Sequence, residues 1–192
     1  MPQKKKDLSE AMAGRYKRDR TMTSMCADLE AETMTVLQDY MMDNSGTDWP
    51  RLLFKWSFLV PPESTVWFAN RFGNAILVFE DGSVHYLDVG RIALRRIAES
   101  RDMFSTLLKM EENARDWLMI PFVDICARAG MTLGPNRCYC FKISPIFGGT
   151  YELKNFGTIS VAEYYGAMAS IEAQIRDVPD GGQIELIVGK AN

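Results

Sequence analysis

The sequence holds a single histidine, His85, which is the first residue to consider for catalysis because imidazole exchanges protons near neutral pH. The nearest acid in sequence is Asp88, three residues along a stretch that reads as a β-strand. Side chains three positions apart on a regular strand point to opposite faces, so this carboxylate is not placed to orient the ring. We therefore expect His85 to be a partly buried structural residue.

Four cysteines raise the question of a metal site. Cys26, Cys126, Cys138 and Cys140 form no Cys-x-x-Cys pair, and none lies near His85 in sequence. A structural zinc site needs four ligands, usually supplied as two closely spaced pairs. We therefore expect no metal ion and no cofactor, and thiols that stay reduced and mostly buried.

Glycine pairs could mark a phosphate-binding loop. Gly148-Gly149 is followed by no Gly-Lys-Ser/Thr motif and belongs to no Gly-x-Gly-x-x-Gly pattern, so it predicts a turn. Across the chain we find no segment that combines a nucleophile, a base and an orienting group. The sequence therefore favours a protein that is not an enzyme.

Strand signals lie in the middle of the chain. Short segments rich in β-branched and aromatic residues are separated by turn residues, and Asp81-Gly82 predicts a tight hairpin because both residues tolerate positive φ. The segment 92–97 suits either a further strand or the start of a helix. Strands are predicted at 65–69, 74–79, 83–89, 138–143, 151–156 and 183–188.

Helix signals flank these strands. Ser100 and Ser160 can each cap a helix, and Pro121 should kink a helix or delay its start. Helices are predicted at 22–42, 49–58, from Ser100 over an apolar face at 103–108, at 113–129 and at 160–174. Together the elements predict an α+β fold, in which a largely antiparallel sheet packs against helices, with an N-terminal helical extension.

Charge and composition divide the chain. Residues 1–21 carry a local balance of +4 and little apolar surface, which predicts a basic flexible arm, whereas the remainder carries −7. We assign 22–48 to a helical extension and 49–192 to the α+β domain. No apolar run approaches a membrane span, and no hydrophobic block follows Lys4-Lys5-Lys6, so we expect a cytoplasmic protein that neither enters a membrane nor binds nucleic acid directly.

Three segments together carry a family resemblance. They are Phe72-Gly-Asn-Ala-Ile-Leu-Val-Phe-Glu-Asp-Gly-Ser-Val-His-Tyr-Leu-Asp-Val-Gly90, Asn113-Ala-Arg-Asp-Trp-Leu-Met-Ile-Pro-Phe-Val-Asp124, and residues 134–155 with their Arg-Cys-Tyr-Cys-Phe and Gly-Gly-Thr-Tyr-Glu-Leu-Lys-Asn motifs. In this order they resemble the C-terminal domain of type VI secretion immunity proteins that neutralise a secreted DNase. The likeness covers roughly residues 49–190. Many members carry a GAD-like domain before this one, and residues 1–48 are too short and too helical for it.

The resemblance implies a protein that binds a cognate toxin and blocks it without catalysis. The acidic charge of the chain offers a physical explanation of how it would do so. A body with a charge of −7 can imitate the phosphates that a nuclease cleft receives, and its field speeds encounter. A scaffold or ligand-sensing module unconnected to a toxin remains the alternative. The partner contacts that we expect are acids near turns and an aromatic residue beside them, namely Glu80, Asp81, Glu111, Glu112, Tyr151 and Glu152.

Overall fold

The structure, a computed structural model, describes residues 37–178. The arm expected at 1–21 and the strand expected at 183–188 lie outside these residues. So does most of the helix expected at 22–42, of which Gln38–Tyr40 form a 3₁₀ helix. Within the described part, no helix is long and apolar enough to cross a membrane.

A four-stranded antiparallel sheet forms the centre of the fold, as the sequence predicts. Each strand pairs with the next one along the chain, so the order in the sheet is β1-β2-β3-β4. The segment whose sequence suited either a strand or a helix start is the last strand. The strands are β1 (Thr65–Ala69), β2 (Ala75–Val78), β3 (Val84–Asp88) and β4 (Ala93–Ala98).

The turn between β2 and β3 has the geometry that its Asp-Gly pair predicts. Gly82 has a φ of 81°, and its N–H donates to the Phe79 carbonyl oxygen at 2.9 Å. The Asp81 carboxylate accepts from the backbone N–H of Ser83 at 2.9 Å and also from the Ser83 hydroxyl. The positive φ predicted for Gly82 is therefore confirmed.

Residues 37–178 include five α-helices around the sheet, and three of them begin at capping side chains. The side chain of Ser100 accepts from the Met103 N–H, and Ser160 forms a capping box with Glu163. Asp48 caps the first helix in the same way. The helices are α1 (Trp49–Phe54), α2 (Arg101–Leu108), α3 (Glu111–Trp117), α4 (Ile120–Arg128) and α5 (Val161–Ile175).

Two predicted helices have different bounds in the structure. The helix expected at 49–58 ends at Phe54, because Trp56 turns inward and its indole N–H donates to the Tyr165 carbonyl oxygen at 3.2 Å. The helix expected at 113–129 is two helices, separated by Met119 at a φ of 51°. Pro121 lacks an N–H and its ring collides with the preceding turn, so the helix stops and a new one begins with this proline in its first turn.

The sheet is covered on both faces. On one face, Trp67 packs with Phe104 of α2 and Trp117 of α3, and the Phe104 and Trp117 rings stack at 5.1 Å between centroids. On the other face, Leu77 and Leu87 pack with residues of α1 and α5, including the fully buried Tyr165. Because both faces are buried, β2 is apolar throughout.

A second, two-stranded sheet is formed by β5 (Arg137–Phe141) and β6 (Phe156–Ser160). The prediction of a strand at 151–156 is wrong, since the second strand begins only at Phe156. Residues 142–155 instead form a long connection, which we call the β5–β6 loop. The Tyr139 N–H donates to the Arg71 carbonyl oxygen at 2.7 Å and fastens β5 to the end of β1.

Candidate partner-binding site

A cleft of about 650 Å³ lies where the end of β3 and the start of β4 meet α3. We call it the α3 cleft. Its walls come from β3, β4, α3, the start of α4 and Tyr151 of the β5–β6 loop. This volume falls in the usual range for binding clefts. Its charged lining comprises Asp88, Arg91, Arg95, Glu112, Arg115 and Asp116.

A buried polar network holds Tyr86, one of the residues that line the α3 cleft. The Asn74 amide nitrogen donates to the Tyr86 hydroxyl at 2.8 Å, and the Asn74 amide oxygen accepts from the Val89 N–H at 2.9 Å. The neighbouring Asn70 amide nitrogen donates to the Trp117 carbonyl oxygen at 2.8 Å. Asn70 and Asn74 are buried, so these bonds hold β3 and the end of α3 at a fixed separation.

One arginine of the cleft is neutralised internally. The Arg95 guanidinium lies over the Tyr86 ring at 4.9 Å and pairs with the Asp116 carboxylate at 2.5 Å. Both charged side chains are about half exposed, at 51% and 59%. The pair therefore orients Arg95 more than it stabilises the fold.

A second arginine is held by an aromatic ring. The Arg91 guanidinium lies 5.4 Å from the centre of the Tyr151 ring, while its backbone N–H donates to the Asp88 carboxylate at 3.0 Å. Burial raises the pKa of the Asp88 carboxyl, and the Arg91 and Arg95 charges oppose that rise only in part. The Arg91 guanidinium and the Asp88 carboxylate are thus both held in position before any partner binds the cleft.

Glu111 and Glu112 occupy the first turn of α3. This helix has no side-chain cap at its N-terminus, so the two acids complement its dipole. Glu111 also lies 3.9 Å from Arg115, one turn along the helix. Glu112 lines the α3 cleft and Glu111 stands outside it, so only one of these predicted contacts faces the cleft.

Tyr151 lines the α3 cleft, whereas its neighbour Glu152 does not. The Tyr151 ring packs at 5.2 Å from Phe122 and 4.9 Å from Phe141, and burial raises the pKa of its hydroxyl. Glu152 is exposed and pairs with Lys154 at 2.7 Å. The hydrogen bond from Lys154 lowers the pKa of the Glu152 carboxyl.

Glu80 and Asp81 lie at the other end of β3 from Asp88. They border a separate open groove of about 430 Å³ together with Glu63 and Phe79. Glu80 is exposed, whereas Asp81 is engaged with Ser83 in the turn, and those bonds lower the pKa of its carboxyl. Of the six predicted contacts, two line the α3 cleft, two border this groove, and Glu111 and Glu152 line neither.

His85 stands beside this groove. Its ring stacks on Phe79 at 3.7 Å between centroids, and its Nε2 lies 2.9 Å from the Ser83 hydroxyl. Asp81 bonds to Ser83 and not to the imidazole, so this carboxylate does not orient His85 as a catalytic base. Burial, the largest cause, lowers the pKa of His85.

The thiols of the described chain are inert by environment. Burial raises the pKa of Cys126 to about 11 and raises that of Cys138 further. Between residues 37 and 178, no group of three or more His, Cys, Asp or Glu side chains could hold a metal ion.

Sequence reasoning missed the arginines of the α3 cleft. Arg91, Arg95 and Arg115 are exposed residues on three different elements, and no local motif joins them. Two residues four positions apart on one strand lie on the same face. Arg91 precedes β4, however, so its spacing from Arg95 does not predict that both line one cleft. Glu63, beside Glu80, was missed for the same reason.

Comparison with known proteins supports the family resemblance. A search of curated proteins finds no match to this chain. The family described as T6SS immunity protein Tdi1, C-terminal, matches residues 98–172. This range runs from the end of β4 into α5 and holds two of the three motifs on which the resemblance rests, while the motif at 72–90 lies outside it. Residues 98–172 therefore match the C-terminal family of type VI secretion immunity proteins, as the sequence motifs predicted.

Proposed function

We propose that this protein is an immunity protein that binds a cognate type VI secretion toxin and neutralises it without catalysing a reaction. The family match over residues 98–172 carries the proposal and supports an immunity role. The matched range contributes α3, the start of α4 and Tyr151 to the α3 cleft. We further propose that the toxin is a nuclease and that the two proteins meet in the cytoplasm, where chromosomal DNA lies.

Charge supports a nuclease as the partner. Residues 37–178 carry 17 acidic and 14 basic side chains, a net charge of −3. A nuclease presents a basic surface to DNA, so an acidic inhibitor is drawn toward that surface and competes with the phosphates. The acidic charge therefore raises the rate of association more than the affinity of the final complex, because exposed charges are screened by salt.

Two surfaces are proposed for the toxin contacts. The first is the rim of the α3 cleft, where aromatic and arginine side chains of the kind enriched in binding hot spots lie beside acids. The second is the β2–β3 turn with its acidic groove. The proposed contacts are Glu112 and Tyr151 at the first surface, with their chain neighbours Glu111 and Glu152 beside it, and Glu80 and Asp81 at the second.

Co-expression tests the proposal directly. A candidate effector taken from the neighbourhood of this gene is expressed with and without the protein, and survival and chromosomal DNA integrity are scored. We expect survival and intact DNA only when the protein is present. A toxin variant without nuclease activity then serves for purification of the complex. Equal killing with and without the protein, and no recovered complex, would contradict the immunity role.

The alternative is a ligand-sensing module, since the volume of the α3 cleft also suits a small molecule. The same experiment separates the two functions. A sensing module gives no protection and no complex with the neighbouring effector.

A further inference from the structure

The β5–β6 loop presents two large apolar side chains to solvent. Ile143 is 57% exposed and Leu153 is 41% exposed. Two other apolar residues of the loop pack against the rest of the fold: Ile146 against the cluster formed with α5, and Tyr151 against Phe122 and Phe141. Folding therefore accounts for the buried part of the loop and leaves its two exposed aliphatic residues unexplained.

The loop is braced around these two residues. The buried Asn155 side chain accepts from the Ile143 N–H and donates to the carbonyl oxygens of Ile143 and Thr150, all at 2.9 Å. The Lys142 ammonium donates to the Lys154 carbonyl oxygen at 2.9 Å. The two ends of the loop, with Ile143 at one and Leu153 at the other, are thereby tied together.

Close packing fixes the middle of the loop as well. A Cβ atom on Gly149 would lie 1.8 Å from the Ile143 carbonyl oxygen, so the chain passes directly against that peptide group. The Ser144 hydroxyl donates to the Gly90 carbonyl oxygen at 2.7 Å and anchors the loop to the end of β3. A loop held in this way loses little conformational entropy when a partner binds it.

We propose that Ile143 and Leu153 are anchor residues that enter an apolar depression on the toxin, an inference that rests on the proposed function. The same loop also supplies Tyr151 to the wall of the α3 cleft, so a toxin that engages the cleft meets the loop that carries both anchors. Tyrosine and arginine are enriched in binding hot spots, and Tyr151 with Arg91 supplies that pair in the wall of the α3 cleft. The acids at the rim then speed association with the toxin, and the two anchors supply the apolar area that is buried in the complex.

Binding of the full chain to the nuclease-inactive form of the neighbouring effector tests this inference. Ile143→Asp and Leu153→Asp should each raise the Kd by about 30-fold or more, chiefly through faster dissociation. Phe54→Asp is the matched control, since Phe54 is 81% exposed on α1, and it should leave the Kd nearly unchanged. Thermal denaturation of each variant should show melting temperatures close to that of the wild type, because the altered side chains are exposed.

The outcomes separate the two proposals. If the wild type protects cells and binds the effector while both loop variants bind equally well, the inference is wrong and the proposed function stands. If the wild type neither protects nor binds, both fall. A free protein that is dimeric, and becomes monomeric on Ile143→Asp, would assign the loop to contact between copies and would also overturn the inference.

Discussion

Asn155 holds Ile143 with both ends of its side-chain amide. Its nitrogen donates to the Ile143 carbonyl oxygen and its oxygen accepts from the Ile143 N–H, each at 2.9 Å, across 12 residues of chain. Asn155 is 6% exposed, so water cannot readily replace the hydrogen bonds that its amide makes. This bond pair sets the conformation of the β5–β6 loop, and with it the position of Tyr151 in the wall of the α3 cleft.

Asn155→Ala should therefore lower the free energy of unfolding by about 1–3 kcal/mol, since it removes three hydrogen bonds from a largely buried site. Urea denaturation measures the change. Asn113→Ala is a suitable comparison, because the half-buried Asn113 makes a single bond to a backbone oxygen, that of Leu107, at 2.9 Å. A cost for Asn155→Ala no greater than that for Asn113→Ala would contradict the bracing role.

Gly148 and Gly149 should respond differently to alanine. Gly148 has a φ of 78° with open space around its Cβ position, so Gly148→Ala should cost about 1 kcal/mol of backbone strain. Gly149→Ala places a methyl group 1.8 Å from the Ile143 carbonyl oxygen, and the backbone must move. We expect Gly149→Ala to cost about 1–3 kcal/mol more than Gly148→Ala by urea denaturation. Equal costs would show that the loop can relax.

Gly82→Val tests the β2–β3 turn. Gly82 has a φ of 81° and no atom within 4 Å of its Cβ position, so the cost is backbone strain alone, about 1–3 kcal/mol. Gly134→Val is the control, because Gly134 also has open space but no positive φ. The melting temperature should fall for Gly82→Val and hardly change for Gly134→Val. An unchanged melting temperature for Gly82→Val would count against this turn geometry.

Asp88 and Asp81 should affect stability with opposite dependence on pH. Burial raises the pKa of Asp88 above its ordinary value of 3.8, so the folded state carries a penalty that is absent below that value and grows as pH rises through the folded pKa. Asp88→Asn should therefore gain stability, relative to the wild type, between about pH 3 and pH 7.

For Asp81 the sign is reversed. Hydrogen bonds from Ser83 lower the pKa of its carboxyl, so its contribution is present above the ordinary value of 3.8 and is lost as pH falls through the folded pKa. Asp81→Asn should cost stability at pH 7 and cost little in strong acid. Urea denaturation across this pH range measures both variants, and parallel curves for the two would contradict the assignment.

Glu112→Lys and Glu80→Lys test the two proposed surfaces separately. Both residues are exposed, so neither variant should change the melting temperature much. If toxin is steered by charge, each variant at a true contact surface should slow association, and the difference from the wild type should shrink as salt rises above physiological strength. Stopped-flow association with the inactive effector measures this. Asp81 is less suitable, because reversing its charge would also break the turn.

Much of the fold could be predicted from local sequence. The Asp81-Gly82 pair fixed the hairpin, and Ser100 and Ser160 marked helix starts, because a turn or a cap depends on a few neighbouring residues. Pro121 was expected to interrupt a helix and does so. The family resemblance rests on three motifs, two of which lie in the matched range of residues 98–172.

The candidate site could not be predicted in this way. The α3 cleft joins residues from β3, β4, α3 and the β5–β6 loop, and its arginines carry no shared local pattern. Residues 151–155 read as a strand by composition, yet Leu153–Asn155 form a 3₁₀ helix, and the Asn155 side chain bonds to the backbone of Ile143 and Thr150. The sequence by itself determined most of the elements and their caps, because these depend on residues near one another in the chain. Only the tertiary structure decided which charges meet and which apolar residues stay exposed, because packing between distant elements sets both.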